Sequence, residues 1–282
     1  MKIRVSTLRK TVKLCEDLLK RAQHSEVLSP RTHFAQTFLK KAVLHGRSML
    51  FLMDQCRGER EYLDISAICV LARCIIELHN ASAYLCERGI SRDEYSLREQ
   101  LFLLNHASDL ERINSNLGIS EDDRRTMYNR MDLQSTLREL NENPIFLSFD
   151  VPHRKNLLKG RSPYLVTRYA GHHPLVRELE AAAYNLFSHN VHSFSLGLTP
   201  VIGGGGTSPA GSLNMLFLAT EITLLYLCHM TAEYRVLRKR AVGRLASNEE
   251  RFLKTTLDTS HLEQWITHLR EGSFEPAITG IQ

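Results

Sequence analysis

The chain has 282 residues, of which 43% are apolar and 24% are charged, and its formal net charge is +5. This is the composition of an ordinary globular protein, and the mild positive charge is compatible with nucleic acid without requiring it. The six cysteines contain no C-x-x-C pair, which argues against a disulfide framework and against a zinc site. Proline is scarce, with 8 residues, and this favours a helical protein.

Helical periodicity dominates the chain, and capping residues mark where the helices begin and end. Ser91, for example, predicts the N-cap of one helix and Gly118 predicts its end. We therefore predict an all-α, single-domain helical bundle over residues 1–282. The predicted helices cover residues 6–23, 29–55, 64–88, 91–117, 120–140, 174–196 and 212–240, followed by a short helix from Ser247 and a last one over 260–270.

Residues 141–173 interrupt this periodicity with several prolines, so we predict an irregular basic insertion here. From Val151 to Arg177 there is no acidic residue. A long basic connection inside a compact domain is often functional, although the same pattern fits a solvated excursion without a ligand. The cations expected to contact a substrate are Arg154, Lys155, Arg161 and Arg168.

The longest apolar run, Leu213 to Met230, is near the lower length of a membrane span. It contains Asn214 and Glu221, so we interpret it as a buried core helix and expect no membrane contact. Charged residues interrupt the apolar positions of the first twenty residues, which predicts no signal peptide. Together with cysteines that we expect to be reduced, this predicts a cytoplasmic protein.

The third predicted helix carries an ion pair in apolar surroundings. Its run from Ile65 to Asn80 is apolar on every side, yet it contains Arg73 and Glu77. A helix that is apolar all round is a buried helix, and buried charges are costly unless they are paired. Since residues three or four apart share a face, Arg73, Glu77 and Asn80 form one polar seam that we expect inside the protein.

A second polar seam lies far away in the sequence. Tyr184, Ser188 and His192 are four residues apart and therefore share one helical face. If the two helices pack together, His192 becomes a partner of Glu77 or a neighbour of Arg73. Such a cluster is either a structural network that fixes helix register, or a site in which His moves a proton and Arg holds an anion.

The two seams together resemble the paired motifs of a bacterial all-helical domain of unknown function. The first motif is Asp64-Ile-Ser-Ala67 followed by Leu71-Ala-Arg73-Cys-Ile-Ile-Glu77, and the second is Tyr184 followed by Phe187-Ser188-His-Asn-Val191-His192. That family is placed near the HEPN (higher eukaryotes and prokaryotes nucleotide-binding) helical bundles. The resemblance covers roughly residues 35–240, and the helices within 247–271 are expected to pack on that core.

The resemblance implies an effector of a bacterial toxin or antiphage defence system. Many HEPN proteins are metal-independent endoribonucleases, so the implied substrate is RNA, with no metal and no cofactor. The implied catalytic residues are Arg73, Glu77 and His192, because a base for the 2′-hydroxyl and a cation at the phosphate supply the chemistry. The residues then expected to bind the substrate are Tyr184, Ser188 and Asn80.

HEPN nucleases carry an R-x₄₋₆-H motif, and Arg73 with His79 fits it formally. On a continuous helix these two side chains point about 120° apart, so His192 is the better partner for Arg73 and His79 is a reserve.

Another class of function stays open: a non-catalytic helical interaction or regulatory protein, in which Arg73, Glu77 and His192 are a structural core network. A metal-dependent hydrolase is a third hypothesis, although no carboxylate lies at a helical ligand spacing beside the histidines. Besides RNA, two partners stay open. They are a second copy of the chain, giving a homodimer, and a partner protein of a toxin or defence system.

Overall fold

The computed structural model describes residues 2–23, 29–55, 63–119, 133–165, 174–191 and 209–270. Over these residues the secondary structure is helical with no β-strand, so the all-α prediction is confirmed. The helices in chain order are α1 (Lys2–Arg21), α2 (Pro30–Gln55), α3 (Ile65–Cys86), α4 (Arg92–Asn116), α5 (Leu133–Glu142), α6 (Pro144–Ser148), α7 (Val151–Leu157), α8 (Arg177–Val191), α9 (Pro209–Leu237), α10 (Lys239–Val242), α11 (Ser247–Thr256) and α12 (Ser260–Arg270).

Capping residues set several of these helix ends, as predicted. The hydroxyl oxygen of Ser91 accepts a hydrogen bond from the backbone N–H of Glu94 and caps α4. Beyond the other end of α4, Gly118 has a φ of 67°, a conformation that residues with a side chain rarely adopt. The helix start predicted at Ser120 lies outside the described residues, and the helix in this region is described from Leu133 onward.

Contacts divide the chain into two compact units. The first unit consists of Met1–Ser82 and His172–Gln282, and the second consists of Ala83–Gly171. The division falls inside α3. The two polar seams that were predicted to pack together both lie in the first unit, whereas the basic insertion belongs almost entirely to the second.

Helices α1, α2 and α9 pack against one another in the first unit. Gly46 of α2 explains how closely they approach. A Cβ at this position would lie 2.9 Å from Cγ2 of Val12 and 3.2 Å from Cδ1 of Leu227. Because protein interiors are close-packed, a larger residue would push these neighbours away. A glycine therefore lets the three helices meet here.

Two described helices, α3 and α9, are long and apolar enough to cross a membrane, by length and composition only. Core helices of soluble proteins pass the same test, so it is weak evidence. In α9, 78% of the most apolar window within Asn214–Leu237 is buried, against 39% in α3. The first unit thus covers most of α9 with protein, which is how a core helix is surrounded.

The acidic residue in the middle of α9 is held by two basic side chains. The side chain of Glu221 is 1% exposed, and the guanidinium of Arg4 donates hydrogen bonds to both of its carboxylate oxygens. Nε2 of His261 lies 2.7 Å from one of these oxygens. Phe217 lies one turn before Glu221 on α9, and Trp265 lies one turn after His261 on α12. Their rings pack together with centroids 5.7 Å apart. Polar and aromatic contacts together therefore attach α12 to α9.

The second unit has its own core and contains a buried charged side chain, that of Arg98. The side chain of Arg98 is 9% exposed, and its guanidinium lies 2.6 Å from Glu87 and 2.5 Å from Glu94. It also stacks over the ring of Tyr84, 4.7 Å from the centroid. These contacts offset the cost of burying the charge. The apolar residues of this core are Leu97, Leu101, Leu104, Leu140, Phe146 and Leu157.

The predicted irregular insertion is wrong where the chain forms α6 and α7. Asn143 and Asp150 cap these helices by accepting hydrogen bonds from backbone N–H groups of the first turn. Pro144 and Pro152 stand in that first turn, where proline starts a helix and does not break one. Helices of seven residues or fewer show too little periodicity to be found from the pattern. Residues 166–173 of the insertion lie outside the described residues.

Candidate functional site

Helix α3 is not buried on every side, and the predicted burial of its ion pair is wrong. Ile68, Ile75 and Ile76 are fully buried, but the side chain of Arg73 is 19% exposed and that of Glu77 is 47% exposed. The prediction failed because it assumed that every apolar face of α3 is covered, whereas only one face packs into the core. The pair therefore lies at the border between core and solvent.

Tyr184 of α8 joins this pair. Nη2 of Arg73 donates a hydrogen bond to the phenolic oxygen of Tyr184 at 2.9 Å, and that phenol donates to Oε1 of Glu77 at 2.8 Å. The same Nη2 lies 2.9 Å from Oε1 of Glu77, and Cζ of Arg73 stands 4.8 Å from the centroid of the Tyr184 ring. The predicted packing of the two seams is confirmed for these three residues, which we call the Arg73–Glu77–Tyr184 cluster.

The pairing of α3 with α8 is antiparallel and is held at three levels. Ser66 donates to Oδ1 of Asn190 at 3.0 Å near one end, and Asn80 donates to Oε1 of Glu180 at 3.3 Å near the other. The Arg73–Glu77–Tyr184 cluster lies between these two contacts. Because polar contacts on both sides fix the register, the cluster is held on a rigid pair of helices and not on a loop.

The environment of the cluster raises the pKa of two of its members. Burial raises the pKa of Tyr184, although the hydrogen bond from Arg73 opposes this effect. Burial alone would lower the pKa of Arg73, but the hydrogen bond to Tyr184 and the charge of Glu77 outweigh it and the pKa is raised. Near neutral pH the guanidinium is therefore charged and the phenol is protonated, which is the state that makes the observed bonds.

A second polar layer lies one helical turn away and reaches into the core. The phenol of Tyr226 donates to Oε2 of Glu180 at 2.5 Å, while the other oxygen of this carboxylate accepts the bond from Asn80. Burial and the charge of Glu180 raise the pKa of Tyr226. Nε2 of His79 lies 2.9 Å from Nδ1 of His229. This layer joins α3, α8 and α9 through side chains that satisfy one another.

His79 has different neighbours from Arg73, as the angular argument predicts. It is 2% exposed, and its ring packs edge-on against Tyr226 with centroids 4.8 Å apart. Its Nδ1 lies 3.1 Å from Oδ1 of Asn80, and its Nε2 faces His229. His79 is therefore enclosed in the core, whereas Arg73 lies at its border with solvent.

The remaining predicted residues on α8 are placed only in part. Ser188 donates its hydroxyl to the backbone carbonyl of Tyr184 at 2.7 Å, a bond that serine commonly makes within a helix. The structure describes α8 as far as Val191. His192, the predicted base, lies outside the described residues. Arg168 lies in another part of the chain that is also outside them.

Three cations of the predicted substrate-binding segment lie in the second unit. Arg154 and Lys155 belong to the last turn of α7, and Lys155 and Arg161 are exposed. Cations in the last turn of a helix are stabilised by its dipole, a role that requires no ligand.

Sequence reasoning missed three members of the second layer. Glu180 was detectable, because it lies four residues before Tyr184 and extends the same seam by one turn. Tyr226 and His229 were not, because they lie on a helix that is apolar on most sides and no pattern indicates which side meets α3. The ion pair between Arg4 and Glu221 was missed for the same reason.

The cluster contains one group of a kind that binds anions, the partly exposed guanidinium of Arg73, and the described residues offer no ligand set for a metal. Nε of Arg73 is buried and has no hydrogen-bond partner among the described residues. In the described part of the chain, no group of three His, Cys, Asp or Glu side chains is placed to hold a metal ion. Guanidinium N–H groups bind the oxygens of phosphates and carboxylates well. No family model, curated protein or solved structure matches the chain, so the chemistry of the cluster is inferred from its geometry.

Proposed function

We propose that the protein is a HEPN-like helical effector of a toxin or antiphage defence system that cleaves RNA without a metal ion. The observation that carries the proposal is the setting of Arg73. Its guanidinium is 19% exposed and is held in place by Glu77 and Tyr184. A cation held in advance of substrate binding stabilises charge that develops on a phosphate.

In the proposed reaction His192 removes the proton from a 2′-hydroxyl of RNA. The O2′ oxygen then bonds to the adjacent phosphorus, the bond from phosphorus to O5′ breaks, and the leaving O5′ takes a proton from solvent. The products are a 2′,3′-cyclic phosphate and a 5′-hydroxyl, with no change of oxidation state. Arg73 binds the non-bridging oxygens, where negative charge increases during the reaction.

Glu77 and Tyr184 act in this proposal by positioning Arg73. The phenol fixes one Nη nitrogen and the carboxylate balances the charge, so the guanidinium keeps one orientation. His192 lies outside the described residues, and its role is proposed from the sequence, in which it follows Tyr184 by eight residues, a helical spacing.

Exposed cations of the second unit are a separate reason to expect affinity for RNA. Lys155 and Arg161 are exposed, and the formal net charge of the chain is +5. Contacts of cations with phosphates release counterions, so the affinity for RNA is expected to fall steeply as the salt concentration rises.

A second candidate function is a non-catalytic helical interaction or regulatory protein. The observation that favours it is the polar layer below the cluster, where Asn80 and Tyr226 bond the two oxygens of Glu180. Fully satisfied networks of this kind fix the register of helices without any chemistry. In this interpretation the Arg73–Glu77–Tyr184 cluster is the outer end of the same network.

Growth of bacteria on induction of the protein separates the two functions. We expect the wild type to stop growth, and we expect Arg73→Ala and His192→Ala to restore it. Arg73→Ala should stay folded, since its partner Glu77 is 47% exposed and is not left as a buried charge. Arg112→Ala is the matched control: Arg112 is 68% exposed and pairs with Asp109, so this variant should remain toxic.

The proposal is wrong if the wild type leaves growth unchanged. It is also wrong if Arg73→Ala and His192→Ala lower the melting temperature while toxicity is retained. Either result supports the interaction protein, in which the cluster has only a structural role.

A further inference from the structure

A long groove runs between α1 and α2 in the first unit, separate from the Arg73–Glu77–Tyr184 cluster. Its volume is about 820 Å³ and it is open to solvent along one side. The two helices are antiparallel, since Arg9 pairs with Asp54 near one end and Glu16 pairs with Arg47 further along. At 1.5 Å per residue, the lining from Arg9 to Gln23 extends over about 21 Å.

The floor of this α1–α2 groove is apolar. Val12, Val43 and Leu50 form buried parts of it, and Leu44 lines it while remaining 58% exposed. Phe51, two turns after Leu44 along α2, is 63% exposed but does not line the groove. Large apolar side chains that stay exposed around a groove typically mark a binding site.

The rim of the groove is basic. Five cations line it against a single acidic residue, Glu16, and the cations are Arg9, Lys13, Lys20, Lys40 and Arg47. Arg9 pairs with Asp54, Lys13 pairs with Asp17, and Arg47 is 3.7 Å from Glu16. Lys20 and Lys40 have no ion-pair partner among the described residues. The rim therefore keeps positive charge for a ligand.

We infer that the α1–α2 groove binds an amphipathic helix of a partner protein that carries acidic residues on both flanks. A helix with an apolar stripe fits a trough between two antiparallel helices, where its apolar side chains enter at every third or fourth position. A length of about 21 Å accommodates about fourteen helical residues. Glutamates or aspartates beside the apolar stripe then meet Lys20 on α1 and Lys40 on α2, and this arrangement fixes the side on which the partner binds.

Other occupants fit the groove less well. Single-stranded RNA stacks its bases on aromatic rings, and the floor of this groove is aliphatic. A single acyl chain needs its apolar surface to be enclosed, whereas Leu44 leaves the floor open to solvent. A second helix covers an open trough of this length and leaves its own charged side in water.

Fluorescence anisotropy with synthetic helices tests this inference on the full chain. The probe is a labelled amphipathic peptide with leucines on one face and glutamates on both flanks, and its twin has lysine for every glutamate. We expect the acidic peptide to bind at least ten-fold more tightly than its twin. Leu44→Glu should weaken binding at least ten-fold, and the double variant Lys20→Glu/Lys40→Glu should reverse the preference between the peptides.

Leu147→Glu is the matched control, because Leu147 is a 48% exposed leucine outside the groove and its replacement should leave peptide binding unchanged. The inference is overturned if both peptides bind equally, or if Leu44→Glu leaves the affinity unchanged. It is also overturned if neither peptide binds while a labelled fatty acid or a 20-nucleotide RNA binds and is lost in Leu44→Glu. All three binding assays are independent of RNA cleavage, so their failure leaves the proposed catalytic function untouched.

Discussion

The guanidinium of Arg73 donates a 2.9 Å hydrogen bond to the phenolic oxygen of Tyr184, a residue 111 positions further along the chain. The same phenol donates to Glu77, so one hydroxyl group joins both members of the ion pair on α3. A tyrosine on α8 thereby orients an arginine on α3, and the orientation of that arginine is the basis of the proposed chemistry.

Tyr184→Phe removes this hydroxyl group and keeps the ring. Two hydrogen bonds are lost at a partly exposed position, so we expect the free energy of unfolding to fall by about 1 kcal/mol. RNA cleavage should fall by at least ten-fold, because Arg73 loses its fixed orientation. A double-mutant cycle with Glu77→Gln, followed by urea denaturation, should give a coupling energy of about 0.5–1 kcal/mol between the two residues. A coupling energy of zero would mean that the bond contributes nothing in solution.

Glu221→Gln tests the ion pair on α9. The carboxylate is 1% exposed, and its loss leaves the guanidinium of Arg4 without its charged partner. We expect a loss of about 3 kcal/mol in the free energy of unfolding. In the control variant Glu250→Gln, the replaced side chain is 64% exposed and pairs with Arg235, so the change should stay within about 0.5 kcal/mol. Equal effects of the two substitutions would show that burial does not strengthen the Glu221 contact.

Gly160→Ala is expected to be among the most destabilising alanine substitutions in the second unit. Gly160 has a φ of 60°, and a Cβ there would meet the Ser108 side chain and would lie 3.0 Å from the backbone oxygen of Leu104. Strain and steric clash add up, so we expect a loss of about 3 kcal/mol. Gly118 has a similar φ of 67° with nothing within 4 Å of the added Cβ, and Gly118→Ala should cost about 1 kcal/mol. Thermal unfolding of both variants measures the difference, and equal losses would rule out the clash.

Alkaline pH is expected to destabilise the protein through its buried thiols. Burial raises the pKa of Cys15, Cys69 and Cys228 to about 12, and an unfolded thiol titrates near 8.5. Between these values the folded state binds more protons than the unfolded state, so stability falls as the pH rises. The contribution is complete below pH ~8 and is lost as the pH rises through about 12. Urea midpoints at pH 8 and pH 10.5 measure this loss, and it should shrink in a variant with alanine at all three positions. A loss of the same size in that variant would assign it to other groups.

The sequence predicts the helices and the two seams because spacing alone decides which side chains share a helical face. Arg73, Glu77 and Tyr184 could be found in this way. The partners of His79 on α9, Tyr226 and His229, could not, because several sides of α9 are apolar and the side that meets α3 is chosen by packing over the whole unit. The same limit explains why Glu77 was wrongly predicted to be buried, since an apolar face of a helix is not always covered by other helices.

Short helices escape sequence analysis for another reason. Proline at the first turn of α6 and α7 resembles a helix breaker when the cap before it is not recognised. Asn143 and Asp150 provide those caps, and each lies directly before the helix that it starts.

Cleavage of a fluorescent RNA by the purified protein in the presence of EDTA tests the central claim most directly. We expect the wild type to release fragments that carry a 2′,3′-cyclic phosphate, and we expect Arg73→Ala to reduce the rate at least a hundred-fold while its melting temperature stays within a few degrees of the wild type. Arg112→Ala, prepared in parallel, should cleave at the wild-type rate. If Arg73→Ala cleaves as fast as the wild type, or if the wild type cleaves only after a divalent metal ion is added, the account of Arg73 as the cation of a metal-independent ribonuclease is wrong.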